Sequence, residues 1–136
     1  MHDETQASVN DADKQAQITQ IDQDTLQLEQ IKHEAQMREV EAERRYAKAA
    51  AEFDKGDIDE ALMYLRSALS LMPQNPKYHY NIGFLYWKKD LLEVALNHYK
   101  LFIRYVPAND KDIEVIKSRI IYFENQLKKR KKPHRR

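Results

Sequence analysis

From Tyr46 to Ile120 the large apolar residues fall in short groups three and four positions apart, a rhythm that predicts amphipathic helices. Local signals cut the rhythm into segments. Gly56 suits a helix C-terminus, and Asp57 with Glu60 reads as an N-cap followed by an acid in the first turn. Asn75 followed by Pro76 is an N-cap with proline in the first turn, where its missing N–H costs nothing. Helices are therefore expected from about Pro76 to Lys89 and from about Leu91 to Tyr105, with Pro107 as a stop and Asn109 or Asp110 as the next cap.

One stretch breaks the one-stripe rule for surface helices. In YHYNIGFLYWKK, Tyr78 to Lys89, a rotation of about 100° per residue puts His79, Ile82, Gly83 and Tyr86 on one stripe. Tyr80, Phe84 and Trp87 form a second, and only Lys77, Asn81 and Lys88 are clearly polar. The helix is expected to have a neighbour on both sides.

The pattern also repeats. Ala61 and Ala95, Leu62 and Leu96, Leu65 and Tyr99, Leu69 and Ile103, Leu71 and Tyr105, and Pro73 and Pro107 are each 34 residues apart. Tyr46 with Tyr80, Ala49 with Gly83 and Phe53 with Trp87 extend the series. A fixed period of this length signals stacked supersecondary units, none of which can bury its apolar face alone.

The residues that recur resemble the tetratricopeptide repeat (TPR) family. The second unit carries Ile82-Gly83 at the family's large-small pair, Tyr86 at its aromatic site, Ala95 and Tyr99 in the second helix and Pro107 at the end. The first carries Tyr46, Ala49-Ala50, Phe53, Gly56, Ala61, Leu65, Ala68 and Pro73, with an inter-helix turn one residue short of the family pattern. The resemblance implies an all-α solenoid of antiparallel helix pairs, with repeats over about 43–75 and 76–109 and a capping helix over about 110–127 built on Ile113, Ile116 and Ile120. It also implies a concave surface lined by the first helix of each repeat that takes a peptide or helix of a partner protein. On this surface Tyr80, Phe84 and Trp87 are expected as anchors, with Lys77, Asn81, Lys88, Lys111, Ile121 and Tyr122 beside them. Trp87→Ala is expected to cost binding more than Lys88→Ala. A chaperone-carboxylate clamp is not implied, because Ala47, Ala51 and Val115 stand where that clamp needs Lys, Asn and a base.

Charge adds two ends to this core. The net charge is +1, yet residues 1–48 hold eleven acids and six bases while residues 111–136 hold three and ten. Residues 15–42 read as a long polar helix without Gly or Pro, in which Ile21, Leu28, Ala35 and Ala42 recur every seven residues, so that it can pair as a coiled coil and join copies of the chain. Residues 1–14 are expected to be frayed. Residues 128–136 are expected as a disordered basic tail in which Lys128, Lys129, Arg130, Lys131, Lys132, Arg135 and Arg136 can meet nucleic acid or an anionic membrane. A groove filled by the chain's own N-terminal helix or by a second copy is the self-assembling alternative to a partner-binding adaptor.

The remaining signals narrow the function by what is missing from the sequence. There is no Cys, no glycine-rich phosphate loop among two glycines, no nucleophile-base arrangement, and no expected pairing among His2, His33, His79, His98 and His134. No enzyme, cofactor, metal site or small-molecule substrate is therefore expected. Without an apolar run of membrane length or a basic-apolar leader, the expected location is cytoplasmic.

Overall fold

The computed structural model describes residues 3–131, with side chains from Asn10 onward. The described residues form five helices: α1 Asp3–Asp54, α2 Ile58–Leu71, α3 Pro76–Lys88, α4 Leu92–Tyr105 and α5 Ile113–Lys131. The chain divides into two compact units, Met1–Met37 and Arg38–Arg136.

In the first unit every described side chain is exposed, and Ile18, Ile21, Leu26, Leu28 and Ile31 keep half or more of their surface in solvent. Helix here rests on the chain itself: good helix formers, no Gly or Pro, and pairs one turn apart such as Gln20 donating to Asp24 at 3.0 Å. The helix begins at Asp3 rather than near residue 15, since nothing in residues 3–14 breaks it.

In the second unit tight caps set the boundaries. Asp57 accepts from the Glu60 amide at 3.0 Å, and Asn75 accepts from the Tyr78 amide at 3.4 Å with Pro76 in the first turn. The two hairpin turns are equal in length. Helix ends at 54 and 88 and helix starts at 58 and 92 keep the 34-residue spacing, so the short turn expected in the first repeat is corrected. The equivalent turn positions are Gly56, at φ 85°, and Asp90, at φ 60°. Asp90 holds a left-handed conformation that disfavours most side chains, and the Arg130 guanidinium donates to its carboxylate at 2.7 Å.

Small residues bring the helices together and large ones fill the gaps. Ala49, Ala61, Leu62, Leu65, Ile82 and Leu85 form one cluster, and Leu92, Ala95, Leu96, Tyr99, Phe102, Ile116 and Phe123 form the next. A third joins Ala42, Ala68 and Tyr78. The caps on α2 and α3 and these clusters together account for the all-α repeat stack.

The last helix supplies the lid. Ile116 and Phe123 have no exposed surface, and Leu127 packs half-buried on the same cluster. Full burial of each such side chain contributes about 1.5–3 kcal/mol. Leu127, the Arg130–Asp90 ion pair and a Lys131–Glu93 contact at 3.9 Å carry α5 past the expected end at residue 127. Lys128, Lys129, Arg130 and Lys131 are thus helical and not part of a disordered tail, placed where cations suit the helix dipole. Lys132, Arg135 and Arg136 lie outside the described residues.

Candidate functional site

The aromatic stripe of α3 is half-buried, and its three members have different neighbours. Phe84 meets Phe53 of α1 edge-on at 6.3 Å and Trp87 at 6.4 Å. Tyr80 and Trp87 turn toward the other side, where Tyr80 packs edge-on against Phe102 at 5.5 Å and Trp87 against Phe123 of α5 at 5.3 Å. Part of the anchor area expected on this stripe is therefore spent on the lid. Trp87→Ala consequently disturbs packing as well as any binding, which weakens it as a test of binding alone.

Between α1 and α3 a cleft of about 190 Å³ stays open, walled by Tyr46, Ala50, Phe53, Asn81, Phe84 and Leu85. Its origin is a size mismatch. Ala50 occupies the position that Phe84 occupies 34 residues later, so a small side chain faces a large one and the space above Ala50 is unfilled.

The polar residues expected here fall into two groups. Lys77 is committed: its ammonium lies 2.9 Å from the Glu43 carboxylate and 4.3 Å from the centre of the Tyr46 ring. Glu43 also accepts from the Tyr78 hydroxyl at 2.7 Å; that bond, with Lys77, holds its carboxyl below the usual range, while burial and Glu43 push the Tyr78 phenol up. Asn81 donates to the Lys77 carbonyl at 2.8 Å and to the Tyr46 hydroxyl at 3.4 Å, which aims the Tyr46 side of the cleft. Lys88 stands over the Phe84 ring at 5.2 Å with its ammonium exposed. Lys111, Ile121 and Tyr122 are exposed and do not line the cleft.

Sequence reasoning left out half of this site. Tyr46, Ala50 and Phe53 are the 34-residue counterparts of Tyr80, Phe84 and Trp87, so the same repeat that marked one wall pointed to the other. Arg119 was also missed. Its guanidinium lies 5.1 Å from the Trp87 ring, 5.8 Å from Tyr99 and 6.0 Å from Tyr80.

The expectation of no histidine pair is corrected as well. His79 of α3 and His98 of α4 meet Nδ1 to Nδ1 at 3.0 Å, because the hairpin brings together residues that are distant in sequence. His79 Nε2 donates to the Pro73 carbonyl at 2.7 Å, which leaves its Nδ1 to accept from the Nδ1–H of His98. The pair is built for two neutral rings. Burial, then the neighbouring His79, then Arg66 lower the His98 pKa to about 4, and burial lowers that of His79 against the opposing pull of the Pro73 carbonyl. The unfolded chain, with histidine near 6.5, takes up protons first as pH falls. Stability is therefore full above pH 6.5 and is lost progressively as pH falls toward 4. Urea midpoints for His98→Gln, which keeps a donor but does not titrate, are expected to be flatter between pH 6.5 and 5 than those of the natural chain.

Among the described residues there is no group of three or more His, Cys, Asp or Glu that could hold a metal ion, and no helix is long and apolar enough to cross a membrane.

Residues 49–90, from the end of α1 through the turn after α3, match the family model described as TPR repeat. No curated protein matches the chain.

Proposed function

From a tetratricopeptide-repeat fold, whose repeats mediate protein–protein interaction, we propose that this chain is an adaptor that holds a peptide or helix of a partner protein across α1, α3 and α5. The open cleft over Ala50 carries this reading. It is apolar on most of its wall, carries the Asn81 amide and the Asp54 carboxylate at its edges, and has room for one large side chain. Lys88 and Lys111 add positive charge outside it and can steer a partner without entering the cleft.

Filling the cleft tests the reading with little cost to the fold. Ala50 is exposed, so Ala50→Phe adds a ring where nothing else is displaced, and the urea midpoint is expected to change by less than the equivalent of about 0.5 kcal/mol. Twelve-residue peptides selected from a random displayed library on the full chain are expected to bind Ala50→Phe at least tenfold more weakly, as followed by emission of Trp87, the only tryptophan. Equal affinity for both proteins would remove the cleft from the site.

A further inference from the structure

The residues that line the cleft have counterparts one repeat further on, where Phe84 fills the space that Ala50 leaves open. Adding 34 to Tyr46, Ala50, Phe53, Leu65 and Leu85 gives Tyr80, Phe84, Trp87, Tyr99 and Arg119, so the position that presents a leucine to the cleft presents a guanidinium to the aromatic rings of the second repeat. Arg119 is half-buried, held over three aromatic rings, and donates only a long bond, 3.4 Å, to the neutral Tyr99 hydroxyl. Among the described residues no carboxylate lies within 4.0 Å of it, whereas Lys117, Arg130 and Lys131 of the same helix are each paired with one.

A guanidinium has five N–H donors and loses water when it stacks on aromatic faces. One weak bond to a hydroxyl leaves most of those donors unmatched. The ligand that suits them is a planar anion able to accept two parallel bonds, and a carboxylate does so with charge-assisted strength. Neighbouring packed helices stand about 8–10 Å apart, and an extended chain advances about 3.3 Å per residue, so equivalent positions on successive helices are about three residues apart on an extended peptide.

We propose that the partner segment is an extended peptide carrying one large apolar residue and, about three positions away, one Asp or Glu: the apolar side chain enters the niche over Ala50 and the carboxylate pairs with Arg119. The proposal rests on the groove reading above and names its ligand. The charges of the two repeats agree with that order. Asp54 at the cleft repels an acid there, while the position 34 residues later carries a cation, Lys88.

The peptides selected on the full chain test it directly. They are expected to share an apolar residue and an acid three positions apart. Replacing that acid by its amide is expected to weaken binding to the natural chain at least tenfold, but no more than about twofold to Arg119→Gln. The amide exchange alters only the peptide, so any loss of stability in Arg119→Gln does not blur it. Acid-free peptides that Ala50→Phe excludes would overturn this inference and leave the groove standing. Peptides indifferent to Ala50→Phe would overturn both. Displacement of the peptides by millimolar inorganic phosphate but not by acetate would overturn the carboxylate assignment.

Discussion

Ile116→Asp is expected to unfold the second unit. Ile116 has no exposed surface and sits in the cluster with Tyr99 and Phe123, where it is the fully buried residue of the first two turns of α5. The change removes a buried aliphatic side chain, worth about 2–5 kcal/mol, and puts an unpaired carboxylate in its place at a further cost of several kcal/mol. A domain of this size has about 5–10 kcal/mol in total. The helix of residues 3–37 does not depend on this core, so circular dichroism alone understates the loss. The readout is Trp87, which packs on Phe123 and reports whether α5 is docked. Its emission is expected to shift red in buffer without denaturant, whereas Val115→Asp, one residue earlier and half exposed, is expected to leave it unchanged. A folded, blue-emitting Ile116→Asp protein would mean that α5 is an appendage and not the lid.

The second large effect concerns Gly83 and Tyr99. A Cβ at Gly83 would stand 3.0–3.2 Å from three atoms of the Tyr99 ring. That ring cannot move aside. It is fully buried, stacked on Phe123 at 5.6 Å and edged by Tyr80 at 6.2 Å. Alanine would gain about 1 kcal/mol over glycine from helix propensity, but here it is expected to destabilise by about that amount, and Gly83→Leu by about 3 kcal/mol or more. The first repeat shows the compensated arrangement: Ala49 and Leu65 occupy the positions equivalent to Gly83 and Tyr99. Tyr99→Leu alone is expected to lose about 2–4 kcal/mol through the cavity it leaves, and Gly83→Ala added to it is expected to recover about 1–2 kcal/mol. Urea denaturation of the four proteins of this cycle gives the coupling. Additivity within about 0.3 kcal/mol would mean that the two residues are matched by coincidence.

The same pair explains why the fold was legible in the amino acids. Large-small exchanges at a spacing of 34 residues are required wherever like helices pack at like distances, and Asp57, Asn75 and Pro76 mark helix starts by local hydrogen bonding that involves no distant residue. What was not legible depends on contacts between distant positions. His79 and His98 pair only because the turn at Asp90 folds α4 back on α3, and α5 outlasts its apolar pattern because Arg130 and Lys131 find Asp90 and Glu93. The site divides in the same way. Tyr80, Phe84 and Trp87 showed themselves as a second stripe on one helix, whereas Tyr46, Ala50 and Phe53 became its opposite wall only once α1 lay beside α3.

The lid also has a consequence for the order of synthesis. Tyr80, Trp87 and Tyr99 are covered by Arg119 and Phe123, and the turn at Asp90 is tied by Arg130, all three on α5. A ribosome delivers α5 after α3 and α4. The aromatic heart of the second repeat therefore stays uncovered until α5 has emerged, and a chain cut before α5 would carry that apolar surface with nothing to close it.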